Sequence, residues 1–148
     1  MKISVAVALT LGASAVGLAA YIGEDLPESK HYSADELVEL SCEALGERHE
    51  EVIVAYHDAE IAHRSRTGTF HDDLGLPTED VLPYAVLIKR FVRDHDIGKA
   101  ETAGAWSSMP ILSSGFYHEV SAICATNPSW QATDAMRQAA LNLSLIEG

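Results

Sequence analysis

The sequence predicts an all-α protein: a small helical bundle of about four main helices with one disulfide, behind an N-terminal signal or anchor segment. Three observations carry this prediction. Apolar residues recur every three or four positions, helix-start signatures stand ahead of those runs, and the two cysteines, Cys42 and Cys124, both fall in helical stretches. No segment reads as a strand, and no internal repeat or low-complexity run appears. With 148 residues, 47% of them hydrophobic, the chain is of single-domain size and can bury a core once its N-terminal segment is set aside.

That N-terminal segment, "MKISVAVALTLGASAVGLAAYI", has one positive charge at Lys2, an apolar run from Ile3 to Leu11, and small residues at Ala13 and Ala15. The spacing fits a secretory signal cleaved after Ala15 or Ala19, which puts the mature N-terminus between Val16 and Tyr21. The rival reading is a retained anchor, since Ile3 to Ile22 is about as long as a membrane-spanning helix needs. On either reading the rest of the chain is exported. Residues 1–19 are then signal or anchor, 20–32 an exported linker, and 33–148 one helical domain.

The helices follow in order. "SADE", Ser33 to Glu36, is a capping box and starts a helix in which Val38, Cys42, Leu45, Val52 and Tyr56 share one side. Gly46 allows a kink before the segment continues to about Arg64. "SRTGTFHDDLGLP" reads as a loop, after which Thr78 caps a helix reaching to about Asp94 if Pro83 sits in its first turn. "DHDIGKAETAGAWSSMP" is a loop or short helix. Pro110 opens a third main helix that carries Cys124 near its end. Asn127 and Pro128 form an N-cap and first-turn pair for the last helix, with Trp130, Thr133, Met136, Ala140 and Leu143 on one side.

Export makes a disulfide the default for paired cysteines, and with only two the one intramolecular bond joins Cys42 to Cys124. Two buried free thiols are the alternative. The chain has no C-x-x-C redox motif and no C-x-x-C-H haem site, and "LSC" at residues 40–42 lacks the apolar run of a lipoprotein signal.

"LSCEALGERHEEVIVAYHDAEIAH" and, after a variable middle, "FYHEVSAICATNPSWQATDAMRQAA" together resemble the HdeA/HdeB-type acid-stress chaperones of the bacterial periplasm. Those proteins have an early cysteine, a helix, and a late C-x-x-N-P before the terminal helix. The resemblance covers residues 40–65 and 115–140, and it implies Cys42 and Cys124 as the disulfide with Asn127 and Pro128 as the turn behind it. It also implies a periplasmic helical protein, idle at neutral pH, that loosens in acid and binds unfolded client proteins without catalysis. A homodimer is left open. The chain departs from the family in having about 80 residues between its cysteines, the excess falling around "LPTEDVLPYAVLIKRFVRDHDIGKAETAGAW". Full protonation would carry the formal charge from −12 to +17, the sum of ten Lys and Arg and seven His.

Other functions fare less well on the residues. A net charge of −12 argues against contact with nucleic acid or anionic lipid, and a membrane enters only through a retained anchor. "HDAEIAH" contains one E-x-x-H, Glu60 to His63, where a di-iron bundle needs two and two further glutamates. His57 and His63 lie about 120° apart around a helix and cannot readily share a metal. "DHD" at Asp94 to Asp96 and "HE" at His118 and Glu119 read as solvated polarity. No G-x-S-x-G, catalytic-cysteine context or phosphate loop is present, so the expectation is a non-enzyme with no cofactor and no metal. An anchored muramidase with Glu24 or Glu28 as its acid lacks any partner pattern downstream. The leading alternative is an immunity or inhibitor protein that plugs a toxin enzyme.

Overall fold

Ser33 opens the first helix as a capping box requires. Its hydroxyl accepts from the Glu36 amide at 3.3 Å, and its own N–H donates to the Glu36 carboxylate at 2.7 Å. The computed structural model, which describes residues 32–69, 77–104 and 109–147, continues from this cap as helices α1 (Ala34–Leu37), α2 (Cys42–Thr67), α3 (Pro83–Asp94), α4 (Lys99–Thr102), α5 (Gly115–Thr126) and α6 (Ala132–Asn142). Four of these are main helices, and the fold is all-α. Among the described residues the only β-type pairing is an isolated antiparallel bridge between Ser41 and Gln131. The predicted signal or anchor and most of the linker lie outside the described residues, as do Glu24 and Glu28.

Several helix boundaries differ from the expected ones, each for a physical reason. The capping-box helix lasts one turn, because Leu40 turns its carbonyl to the Ala132 amide and Ser41 then caps a new helix by accepting from Ala44 at 3.2 Å. That helix, α2, runs through Gly46 without a break for 26 residues, about 39 Å at 1.5 Å per residue. It ends at Gly68, whose φ of 73° is left-handed and whose N–H donates to the Arg64 carbonyl.

Thr78 starts a turn rather than a helix. Were it the cap, Pro83 would lie past the first turn and its ring would meet the carbonyl four residues back, so α3 begins at Pro83 itself with Leu82 as N-cap. Pro110 likewise does not open α5. The buried Glu79 carboxylate accepts from the amides of Ile111 and Leu112 at 2.7 and 3.0 Å, holding that stretch as turns until Ser114 caps α5 by accepting from Tyr117. A Cβ on Gly104 would run into the Ser113 backbone, so only glycine lets the chain after α4 pass this close to the turn at 110–113. Asn127 ends α5 instead of starting α6, its N–H and side-chain amide both donating to the Ile123 carbonyl.

The helices pack on one core in which Leu37, Leu45, Ile88, Phe116, Val120 and Met136 are fully buried. A smaller group of Val52, Val81, Leu82 and Ala85 fills the space between α2 and the start of α3. In α6 the buried face is Ala132, Ala135, Met136, Ala139 and Ala140, which brings α5 close; Trp130 and Leu143, expected on that side, stay about two-fifths exposed at 41% and 42%. From Ile53 onward no residue of α2 is buried.

Truncating Phe116→Ala removes a wholly buried ring and should lower stability by about 3–5 kcal/mol, whereas Leu143→Ala should stay within about 0.5 kcal/mol. Urea unfolding of the two variants checks this. Equal losses would show that burial is not ranking these positions.

Candidate functional site

The first turn of a helix leaves amides without intrahelical partners, and in α2 they are satisfied from the far end of the chain. The Cys42 N–H donates to the Trp130 carbonyl at 2.8 Å and the Glu43 N–H to the Pro128 carbonyl at 2.9 Å. In return the Ala132 N–H donates to the Leu40 carbonyl at 3.0 Å. Asn-Pro earns its place in this crossing: Asn127 closes α5, its carbonyl accepts from Trp130, and Pro128 presents its carbonyl to α2. Next to it the predicted disulfide joins Cys42 to Cys124, 82 residues apart, with Cα atoms 5.1 Å from each other and both side chains buried. The two cysteines are the residues singled out from the sequence, and they come together as expected.

Residues that no sequence motif marks build a second feature about two turns along α2. His49 accepts the Tyr84 amide on Nδ1 at 3.5 Å, supplying a partner to an amide in the first turn of α3. Its ring meets Tyr84 edge-on at 5.1 Å, and Tyr84 meets Tyr117 likewise at 5.6 Å. Burial pulls the His49 pKa from 6.5 down to about 4 and pushes both tyrosines up. A protonated imidazole could not accept that amide, and its charge would sit at the positive end of α3.

On the surface, carboxylates held by donors lie below their usual range: Asp80 through the Lys89 ammonium at 2.6 Å, Asp94 through the Arg90 guanidinium at 2.6 Å, and Glu36 through the Ser33 backbone N–H. Arg90 also reaches Asp35 at 2.8 Å and so ties α1 to α3. A groove of about 620 Å³ runs between α3, α4 and the turn at Pro110, floored by Ile88, Val92, Ile97 and Ile111.

The histidine motifs do not converge. His57 is exposed, 4.0 Å from Asp58, and among the described residues no three His, Cys, Asp or Glu side chains gather as a metal site would require. His95 stacks on Phe91 at 4.1 Å and Glu119 accepts from Asn142 at 2.7 Å, so the two polar pairs noted in the sequence have structural partners. No described helix is long and apolar enough to cross a membrane. In comparisons with known proteins, no family model, curated protein or solved structure matches this chain.

Two outcomes follow from this geometry. Reducing the disulfide, or replacing both cysteines by serine, should cost about 4–5 kcal/mol on the chain-entropy estimate, read by urea unfolding with and without reductant. Thiol labelling of the denatured, unreduced protein should find no free cysteine.

The second concerns pH. The folded pKa of His49 lies below its unfolded value, so its stabilising contribution is complete above pH 6.5 and is lost as pH falls toward 4. His49→Gln, which does not titrate, should lose roughly 2 kcal/mol less than the parent over that interval after discounting the ring's partial exposure. Parallel pH–stability curves for parent and variant would exclude His49 as a source of the acid dependence.

Proposed function

We propose that this is an exported protein, folded and idle in neutral conditions, that becomes a binder of unfolded proteins in acid, acting without catalysis as the HdeA/HdeB-type periplasmic chaperones it resembles do. The observation that carries the reading is the pairing of an acid-sensitive helix contact with an acid-proof tether. The His49 contact and the Asp94–Arg90 and Asp80–Lys89 pairs all weaken as protons are added, while the bond between Cys42 and Cys124 does not titrate. The change in formal charge from −12 toward +17 adds repulsion across the whole chain. Loosening is therefore bounded: α2 and α5 stay joined while their neighbours part.

Trp130 is already exposed at neutral pH, whereas Val52 and Met136 are buried and become available only when α2 and α6 separate from the core. The second reading, a plug for a toxin enzyme, needs a rigid surface that survives acid unchanged.

Oxidised protein should suppress aggregation of an acid-unfolded client at about pH 2–3, where carboxylates of ordinary pKa are protonated. It should do little at about pH 7 and lose much of the effect after reduction. Light scattering of the client, followed beside circular dichroism of the protein, reads both. A fold and an inactivity that both persist unchanged at about pH 2 would overturn the chaperone reading in favour of the plug.

A further inference from the structure

The groove between α3, α4 and the turn at Pro110 inverts the charge balance of the chain. The whole sequence carries 22 acidic against 10 basic residues, whereas two acidic and three basic side chains line the groove. Lys89, Arg93, Asp96 and Lys99 are exposed there, and the second acid, Glu79, is buried with one oxygen already accepting from Ile111 and Leu112. Lys89 and Arg93 are shared with Asp80 and Asp94, but Lys99 has no ion pair among the described residues. Beneath these charges the surface is aliphatic, through Ile88, Val92, Ile97 and Ile111, with no aromatic ring among the described lining residues. The buried Thr102 hydroxyl already donates to the Lys99 carbonyl at 3.5 Å, so the floor offers almost nothing to hydrogen-bond. The walls are tied together. The Ile97 N–H donates to the Val92 carbonyl at 3.0 Å, and the Gly104 N–H donates to the Pro110 carbonyl.

We propose that this groove binds an amphipathic anion, a dissolved medium-chain fatty acid with one unbranched aliphatic tail and a carboxylate head. The tail follows from the floor. Flexible methylenes fit against branched aliphatic side chains that present no ring to stack on and no free donor, and each methylene removed from water favours binding. The head follows from the rim, where the unpaired Lys99 ammonium and the Arg93 guanidinium are the groups an anion would meet. A cationic head would face three like charges, and a sugar would lose its hydrogen bonds to water without finding replacements on the floor. The volume of about 620 Å³ falls within the range of small-molecule sites, about 300–1,000 Å³. The ligand is a dissolved monomer rather than a bilayer, because anionic headgroups in bulk repel a chain of net charge −12. This binding goes beyond the acid-chaperone reading and does not rest on it, since it belongs to the folded protein at neutral pH.

Calorimetric titration of the full oxidised chain at neutral pH with octanoate, decanoate and dodecanoate, each below micelle formation, should show one site whose affinity rises by up to about fourfold per methylene. Dodecyltrimethylammonium, with the same tail and a cationic head, should bind at least about tenfold more weakly than dodecanoate. Phosphatidylglycerol vesicles should not bind. Ala103→Trp, at an exposed position on the groove, should fill it and abolish binding. Lys99→Glu should weaken dodecanoate at least about tenfold and narrow its lead over the cationic chain. Both residues are exposed, so circular dichroism of the variants should match the parent. Absence of dodecanoate binding, which is also what a groove filled by another part of the chain would give, would overturn the proposal. So would equal affinity for the anionic and cationic chains, binding that neither variant alters, or a preference for the vesicles over the dissolved acid.

Discussion

The fold depends on how the first turn of α2 is completed. A helix start buried beside a core must find partners for its amides, and here they come from carbonyls near the other end of the described chain, Pro128 and Trp130. Because those carbonyls are committed to α2, residues 128–131 cannot wind into helix, and α6 has to begin at Ala132. Because the Leu40 carbonyl is committed in return, α1 has to stop after one turn. The disulfide then lies beside a crossing already fixed by hydrogen bonds. Its covalent constraint and the backbone crossing reinforce one another.

Much of this was legible in the sequence. The capping box at Ser33, the core stripe through Cys42, Leu45 and Val52, and the pairing of Cys42 with Cys124 were all visible, because local spacing and the arithmetic of two cysteines determine them. Boundaries set by distant hydrogen bonds were not. Nothing near Asn127 in sequence reveals that the carbonyl of Pro128 is needed at Glu43, and nothing near Pro110 reveals that Glu79 will hold the following amides. His49 was hidden for the same reason: within "GERHEE" it looks like a solvated side chain, and only the arrival of Tyr84 buries it.

The same distinction separates the features that respond to pH from those that do not. Where a charged group is exposed, as in Asp80 with Lys89, water screens the pair and each contributes little on its own. His49 differs because its neutral form is a structural acceptor, so protonation removes a hydrogen bond and introduces a charge in one step. The stability tied to this contact between α2 and α3 thereby falls between pH 6.5 and about 4, mostly above the range in which ordinary carboxylates titrate.

The crossing at residues 40–43 and 128–132 also orders events in time. Its two strands of backbone are separated by most of the described chain, so neither half can complete the native topology by itself, and Cys42 has no native partner until Cys124 has been made. Helices such as α3 and α5 can form early from local contacts, but closing the large loop between the cysteines must wait and then carries an entropic cost. Loop closure over this separation favours local helices before the crossing closes, so the disulfide marks that residues 40–43 and 128–132 have met.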